Sequence, residues 1–223
     1  MSPAAECSEV RRSAIENYVA HHLGPAEQVL HEITSELVHI DIHIVRPTEK
    51  QPYWFLFTTG MSAAPMRVPD GHGLHPHAEL SIMLPPWWVV DPLKWKTDPH
   101  WYWPIRELST IARYPHRHRT WLGLGHTLAG SATPSRIDPS TKFASMVVLP
   151  TMLDGSEDKM IDADVPIDLF ALWPLYADEL DYKLAHGLHA LLARLDEHRV
   201  TSVLDPNRTS CIAASSYAQS PAR

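Results

Sequence analysis

Apolar positions in the segment 39–85 repeat with the period of β-strands. In the run 39–48, isoleucines alternate with polar residues, which predicts a strand with one apolar face and one polar face. The runs 53–62 and 78–85 are rich in aromatic and aliphatic residues, and proline, glycine and histidine separate the three runs. A half-buried antiparallel sheet is the simplest interpretation. The predicted polar face of the first strand consists of His39, Asp41 and His43.

Helical spacing of apolar residues marks three further segments. Residues 8–23 form the first predicted helix, which ends at a Gly-Pro pair. The second predicted helix covers residues 104–113; a proline suits its first turn, and Pro115 is expected to stop it. Residues 175–198 give the clearest helical pattern, with acidic residues near the start and basic residues near the end. The predicted core stripe of this helix includes Leu180, Leu184, Leu188 and Leu191.

Three more strands and one aromatic segment complete the pattern. The strands are predicted at residues 120–127, 143–150 and 167–172. Five tryptophans fall within the 17 positions of the segment 87–103, which also contains prolines and lacks a clear period. Aromatic side chains dominate both protein cores and interface hot spots. The tryptophans are therefore expected either to pack over one face of the sheet or to form an exposed anchor for a partner.

Composition and charge narrow the classes of function. The 223-residue chain has a formal net charge of −7, which argues against general nucleic-acid binding and favours a basic partner. No apolar run approaches the roughly 18 residues needed to span a bilayer, and the amino terminus lacks the apolar core of a signal peptide. Cys7 and Cys211 lie near opposite ends and imply no disulfide framework. These features predict a cytoplasmic protein that does not bind membranes.

A histidine-rich loop is the best candidate for a metal site. It contains His72, His75 and His77, and Glu79 follows as a carboxylate ligand. Neutral imidazoles at this density bind zinc or nickel. The competing interpretation is a solvent-exposed hairpin loop, because the glycines and proline of the segment do not fix four converging ligands. A metal-dependent hydrolase that uses this loop is the alternative function.

The polar face of the first strand is a second candidate for chemistry. Asp41 is placed to orient a neighbouring histidine as a general base, and Ser62 and Ser81 are available hydroxyl groups. The competing interpretation is a polar sheet surface that faces solvent or a partner. No nucleophile elbow, phosphate-binding loop or dinucleotide fingerprint occurs in the sequence.

A local basic run follows the second predicted helix in this acidic protein. Such a run binds an acidic polypeptide segment or a phosphate when its donors converge. Otherwise it forms a solvated loop. The run is Arg113-Tyr114-Pro115-His116-Arg117-His118-Arg119.

Short motifs along residues 35–208 follow one another in a specific order. They are Thr59-Gly60-Met61-Ser62, Glu79-Leu80, Leu84-Pro85, Ile111-Ala112-Arg113-Tyr114, Gly125-His126, Val147-Val148-Leu149, Leu172-Trp173-Pro174-Leu175-Tyr176 and Asp205-Pro206-Asn207-Arg208. In order and spacing they resemble the suppressor of fused (SUFU) domain in its short bacterial form. The resemblance implies an α+β fold with a mixed, mainly antiparallel central sheet flanked by helices, a SUFU-like sandwich. It also implies a domain over residues 35–208, with residues 1–34 as a helical segment packed on it. The Ser- and Ala-rich residues 209–223 are predicted to be a disordered tail.

The resemblance implies protein binding rather than catalysis. In animals, a short peptide of Gli transcription factors adds as a strand within a cleft of the family fold. The family's peptide-contacting tyrosine matches Tyr114, a contacting phenylalanine falls near Trp121 or Leu122, and a histidine matches His126. Gly125 stands where the family has an aspartate, so the acidic contact of the animal type is missing. Together with the basic run, the predicted partner-binding residues are Tyr114, Arg117, Arg119, Trp121, Leu122 and His126.

The sequence therefore predicts a non-enzymatic protein-binding module without a cofactor. Bacterial relatives resemble immunity proteins that neutralise toxins. The predicted partner is thus a polypeptide, with a toxin as the first candidate. The alternative function remains the metal-dependent hydrolase that uses the histidine-rich loop.

Overall fold

The computed structural model describes residues 3–33, 37–71, 73–129, 135–153 and 160–212, with side chains from residue 8 onward. Its helices are α1 (Pro3–Leu23), α2 (Pro92–Trp95), α3 (Trp103–His118) and α4 (Ala177–Glu197). Its strands are β1 (Gln28–Leu30), β2 (Asp41–Val45), β3 (Trp54–Thr59), β4 (Ala78–Leu84), β5 (Thr127–Ala129), β6 (Ser145–Pro150), β7 (Met160–Ile161) and β8 (Ile167–Leu175). Short 3-10 turns occur at Met61–Ala63 and Pro99–Trp101.

All of the described strands join one mixed sheet. Its order is β1-β2-β3-β4-β8-β6-β5, and β7 pairs with β8 outside this path. The pair β4 and β8 is parallel, whereas the other described pairs are antiparallel. The predicted α+β fold with a mixed, mainly antiparallel sheet is therefore confirmed. The strands β1 and β5 form the two edges.

Helices cover both faces of the sheet. On one face, α3 and the tryptophan segment pack on the central strands. On the other face, α1 packs on β3 and β4, and α4 packs on β6 and β8. Because both faces are buried, the central strands read as nearly continuous apolar runs. Within the described residues, no helix combines the length and apolar character needed to cross a membrane.

Two of the three residues of the predicted polar face, Asp41 and His43, are buried, so β2 itself presents no polar surface to solvent or a partner, whereas His39 just before β2 is exposed. Asp41 is 2% exposed and His43 is 3% exposed. Residues of α1 lie over them: Arg12 Nη2 is 3.9 Å from Asp41 Oδ2, and Glu16 Oε1 is 3.7 Å from His43 Nε2. His43 Nε2 is also 2.9 Å from Thr59 Oγ1. A general base at this position would have no access to a substrate.

The helix α3 continues through Pro115, where the sequence pattern predicts its end. It ends instead at His118 and is followed by Arg119, which has a left-handed φ of 52°. Proline removes one hydrogen bond from a helix interior and costs about 3 kcal/mol or more there. Ile111, Ala112 and Pro115 are all buried along α3. Tertiary packing of this face therefore outweighs the local loss.

The helix α4 breaks at Gly187, whose φ of 85° and ψ of 171° are not helical. Leu180 is buried before the break, and Leu191 and Leu195 are buried after it. Leu184 is 66% exposed, so its predicted core position is wrong. The sequence pattern assumes one continuous helix, whereas the break changes the phase of the apolar stripe.

Most of the tryptophan segment packs in the core. Trp88, Trp95 and Trp103 are buried, while Trp87 is exposed. The indole N–H of Trp88 donates to the carbonyl oxygen of Trp101 at 2.9 Å. Trp101 is partly buried against the same core, so packing over one face of the sheet accounts for four of the five tryptophans of this segment.

The carboxy-terminal segment is tied to the start of α4 by a buried ion pair. Arg208 donates from Nη1 to Glu179 Oε1 at 2.5 Å and from Nη2 to Oε2 at 2.7 Å. Its guanidinium group lies over the rings of Phe143 and Tyr176. The N–H of Cys211 also donates to Glu179, at 2.9 Å. Burial raises the pKa of Glu179, but the Arg208 guanidinium and the N–H groups of Cys211 and Tyr176 together outweigh burial and lower it.

The predicted disordered tail, residues 209–223, is described only at its beginning. Cys211 is buried in a cluster with Leu191 and Leu195 of α4. Burial raises the pKa of its thiol to about 12. Residues 213–223 lie outside the described part of the chain.

The motif Thr59-Gly60-Met61-Ser62 forms a tight turn after β3. Gly60 has a φ of 104°, and a Cβ atom there would overlap the carbonyl oxygen of His39. Only glycine fits this close approach. The buried Glu79 carboxylate lies against the turn and accepts hydrogen bonds from Thr58 Oγ1 at 2.6 Å and Ser62 Oγ at 2.6 Å. It also accepts from the backbone N–H groups of Gly60 and Ser62, both at 2.9 Å.

The same turn connects the helices of both layers. Arg11 of α1 donates to the carbonyl oxygen of Ser62 at 2.7 Å. His116 of α3 lies 2.9 Å from the carbonyl oxygen of Met61 and donates to it through Nε2. Burial raises the pKa of Glu79, and its four donors oppose that rise. The turn and its carboxylate thus form a structural hub.

We expect Gly60→Ala to destabilise the protein much more than Gly24→Ala. Both glycines have positive φ, so each alanine carries a backbone cost of about 1–2 kcal/mol. A Cβ at Gly24 meets nothing within 4 Å, whereas at Gly60 it meets the His39 backbone. The free energy of unfolding, measured in urea, should fall by several kcal/mol, on the order of 3 or more, for Gly60→Ala. Equal losses for the two variants would contradict this account of the turn.

We expect His43 to make the protein less stable as pH falls. Burial lowers the pKa of His43 from 6.5 to about 4. Between these values the unfolded chain binds a proton that the folded protein does not, so stability is full above pH 6.5 and is lost towards pH 4. The loss amounts to about 3 kcal/mol for His43. Urea unfolding of His43→Gln should show a correspondingly flatter pH slope, with pH 7.5 as the reference; an unchanged slope would refute the assignment.

Candidate functional site

A groove of about 640 Å³ opens between α3 and the edge strand β5. One wall is α3, the other is β5, and the turn before β5 closes one end. Lys183 of α4 also lines the groove. The residues that line the groove are Glu107, Thr110, Ile111, Tyr114, Thr120, Trp121, Leu122, His126, Thr127, Leu128, Ala129, Ile137 and Lys183.

The turn before β5 contains a β-bulge. The N–H of Gly125 donates to the carbonyl oxygen of Val148 at 2.7 Å. The N–H of Val148 donates to the carbonyl oxygen of His126 at 2.8 Å. Gly125 and His126 thus both lie opposite Val148, and Gly125 has a φ of 80°, as in a G1 bulge. The strand predicted at residues 120–127 is therefore wrong for residues 120–126, because β5 begins only at Thr127. Its apolar residues face the core and the groove instead of a neighbouring strand.

The bulge determines which backbone groups of β5 point away from the sheet. In an antiparallel pair, alternate residues exchange hydrogen bonds with the partner strand. His126 is bonded to Val148, so the next bonded residue of β5 is Leu128. Thr127 and Ala129 therefore direct their N–H and C=O groups outward. Because β5 is the sheet edge, no described strand occupies that side.

The α3 wall is one face of the helix. Glu107, Thr110, Ile111 and Tyr114 are spaced by three or four residues, which places them side by side along the helix. Ile111 is buried, and the phenol ring of Tyr114 is partly exposed at the rim. Burial raises the pKa of the Glu107 carboxyl group. The wall is thus apolar in its middle, with a carboxylate at one end and an aromatic ring at the other.

The end of the groove near the bulge is aromatic and carries positive charge. The rings of Trp121 and His126 lie 4.1 Å apart between centroids. Burial lowers the pKa of His126, a hydrogen bond to the Trp121 backbone opposes this, and the Lys183 ammonium group adds to the lowering. His126 is therefore neutral at pH 7, and Lys183 supplies the charge.

The structure brings four of the six predicted partner-binding residues together. Tyr114, Trp121, Leu122 and His126 all line the groove. Arg117 is exposed at the end of α3, outside the groove lining. Arg119 lines a separate cleft of about 250 Å³. The basic run thus does not form one surface with the groove.

Sequence reasoning missed several residues that shape the groove. Glu107 and Thr110 share a helix face with Tyr114, so their spacing from it was the available signal. Lys183 comes from α4, more than forty positions away from every other residue of the groove lining. Only the tertiary structure shows that this residue joins the site.

Gly125 has a backbone that disfavours the aspartate found there in the family pattern. Its φ of 80° is left-handed, and a Cβ would lie 2.9 Å from Leu188 Cδ2 of α4. An acidic side chain at this position would therefore need both a strained backbone and a shift of Leu188. The groove of this chain lacks that acidic contact.

The histidine-rich loop does not assemble a metal site among the described residues. His75 Nδ1 is 3.1 Å from Asp168 Oδ1, and His77 Nδ1 donates to the carbonyl oxygen of Ser62 at 2.8 Å. Glu79 is occupied by the hydrogen bonds of the Gly60 turn. The predicted fourth ligand, His72, lies outside the described residues. The described part of the loop therefore does not favour the hydrolase alternative.

We expect His126 to titrate below its ordinary range, with Lys183 contributing to the shift. Lys183→Gln removes the positive charge that disfavours the imidazolium, so the pKa of His126 should rise without reaching its unperturbed value, because burial remains. The pKa is measured by NMR titration of the imidazole C–H signals. Lys50→Gln, in the β2–β3 loop, removes the same charge far from the groove and should leave the His126 titration unchanged. An equal response to both substitutions would contradict the local effect.

Known proteins resemble this chain along nearly its full length. A family model described as "Suppressor of fused protein (SUFU)" matches residues 36–209. An uncharacterised protein of Ureaplasma parvum serovar 3, UU111, is 22% identical over 207 residues, which cover 92% of this chain and 97% of that protein.

Three solved structures share the fold. A suppressor of fused homologue from Neisseria gonorrhoeae has a TM-score of 0.64 and 16% identity, covering 95% of this chain and 100% of its own. A chain of the Sufu–Fu complex has a TM-score of 0.60 and 16% identity, with coverages of 89% and 91%. Drosophila Suppressor of Fused has a TM-score of 0.62 and 14% identity, with coverages of 91% and 51%. Because the family model matches most of the sequence, the chain belongs to the suppressor of fused (SUFU) family.

Proposed function

We propose that this protein binds an extended segment of another polypeptide in the groove between α3 and β5, without catalysing a reaction. The observation that carries the proposal is the edge position of β5: no described strand pairs with its outer side, and Thr127 and Ala129, whose backbone groups face away from β6, line the groove. An extended segment that adds to such an edge gains main-chain hydrogen bonds, and pockets beside the edge select its side chains.

The shape and chemistry of the groove support this mode of binding. A volume of about 640 Å³ accommodates several side chains. Ile111, Leu122 and Leu128 supply apolar surface, and Tyr114 and Trp121 are residue types favoured in interface hot spots. Unpaired strand edges in proteins usually pair with another chain or are protected from doing so. The residues beside this edge form the walls of the groove.

A structural neighbour supports a polypeptide as the class of partner. That neighbour is a chain of the Sufu–Fu complex, with a TM-score of 0.60 to this protein. Two candidate metal ligands, Glu79 and His77, and the candidate base His43 make buried hydrogen bonds within the fold, which supports structural roles for them. Binding without catalysis is therefore the function that these contacts favour.

The identity of the partner as a toxin stays a prediction. It rests on the resemblance to bacterial immunity proteins and on the net charge of −7, which suits a basic partner. The groove specifies an extended segment rather than the protein that carries it. The cytoplasmic location likewise stays a prediction.

We expect Ala129→Pro to weaken binding at least about tenfold, because proline removes the outward N–H of the edge strand. The ladder to β6 should survive, since Ala129 is not one of its bonded residues. The probe is the strongest peptide selected from a random phage-displayed library on the wild-type protein, with affinity measured by calorimetry. Ala129→Ser keeps the N–H and should change affinity by less than about twofold. Binding to Ala129→Pro as tight as to wild type, with the fold intact by thermal unfolding, would refute strand addition.

A pair of tyrosines tests the location of the same site. Tyr114 at the groove rim is 39% exposed, and Tyr102 outside it is 38% exposed. Tyr114→Ala should weaken binding of the selected peptide by about 1 kcal/mol or more, while Tyr102→Ala should leave the binding free energy unchanged. If Tyr102→Ala weakens binding and Tyr114→Ala does not, the peptide binds elsewhere.

A further inference from the structure

The carboxylate of Glu107 is mostly buried in the groove wall and accepts one long hydrogen bond. Its side chain is 19% exposed, so most of its hydration is lost. Among the described residues, its one hydrogen-bond donor is Arg106 Nε, at a long 3.4 Å. Arg106 forms an ion pair with Glu107 at that distance, but its two terminal nitrogens donate to other groups: Nη1 to Asp138 Oδ2 at 3.1 Å and Nη2 to the carbonyl oxygen of Ile137 at 2.9 Å. Glu107 therefore retains acceptor capacity towards the groove.

The position of Glu107 along the groove follows from the strand pairing. Arg106 is bonded to Ile137, whose N–H donates to the carbonyl oxygen of Phe143. Phe143 lies two residues before Ser145, the partner of Ala129. Glu107 thus lies towards the end of the groove where β5 finishes.

The opposite end of the groove has the opposite charge. Lys183 lies near His126, which precedes the first residue of β5. Seven residues of α3 separate Glu107 from Tyr114, a rise of about 10 Å along the helix. A strand covers that length with about three residues. One short extended segment can therefore reach both ends of the groove.

We infer that the groove selects an extended polypeptide segment with a lysine or arginine side chain facing Glu107. The inference rests on the proposed function and names the chemistry of its partner. A cationic donor supplies the hydrogen bonds that Glu107 lacks, and charge-assisted bonds of this kind are the strong ones. Lys183 repels a second basic residue at the other end, which sets the direction of the bound segment. Glu107 is thus a specificity-determining residue.

The experiment compares the peptides selected by four forms of the protein. A random phage-displayed library is selected on wild type, Glu107→Gln, Glu107→Lys and Glu49→Lys, and the enriched sequences are aligned. Glu49 lies exposed in the β2–β3 loop, so its substitution changes the net charge as much as Glu107→Lys does, away from the groove. This control is needed because the net charge of −7 attracts basic peptides to the whole surface.

The expected result is one position enriched in Lys or Arg with wild type and with Glu49→Lys. The enrichment should disappear with Glu107→Gln and become a preference for Asp or Glu with Glu107→Lys. The leading basic peptide should bind Glu107→Gln about tenfold more weakly than wild type. Circular dichroism and thermal unfolding verify that each variant is folded. If Glu107→Lys does not fold, the loss of the Lys or Arg preference with Glu107→Gln alone tests the inference.

Two other results would overturn the inference in different ways. If peptides are enriched and lose binding on Ala129→Pro, but their Lys or Arg preference is absent or persists with Glu107→Gln, the partner chemistry is wrong while the groove remains the site. If no peptide binds wild type more tightly than Ala129→Pro, both the inference and the proposed function fail.

Discussion

The fold depends on one buried carboxylate and the glycine turn that it holds. Glu79 accepts four hydrogen bonds from three residues of β3 and the following turn. The carbonyl oxygens of this turn accept hydrogen bonds from Arg11 of α1 and His116 of α3. A buried charge without these donors would cost several kcal/mol, so the carboxylate and the turn require each other. The layers on both faces of the sheet are aligned through this one point.

A second buried carboxylate fixes the other half of the molecule. Glu179 joins the start of α4 to the carboxy-terminal segment through Arg208 and the Cys211 N–H. One wall of the groove is α3, which contacts the Gly60 turn through His116, and the other is β5, whose neighbour β6 packs against α4. Both walls pack on the core, through Ile111 of α3 and Leu128 of β5, which gives the groove a defined shape.

The sequence predicts elements whose pattern is set locally and fails where distant elements intervene. Alternation in β2 identified a strand, but a period of two cannot show that α1 covers the polar side, which buries Asp41 and His43. Pro115 carries a local stop signal, which the packing of α3 overrides. The family resemblance supplied four residues of the groove lining. It could not supply Glu107 or Lys183, because a site formed by separate elements leaves no continuous motif.

Gly125 constrains how this groove can diverge. Its left-handed backbone builds the bulge that opens the β5 edge, and its missing side chain leaves room for Leu188 of α4. An aspartate introduced here would displace Leu188 Cδ2, and it would keep the cost of the left-handed backbone even if residue 188 became smaller. A smaller residue at position 188 would lose packing on the cluster between α4 and β6. Substitutions at the two positions are therefore expected to be non-additive.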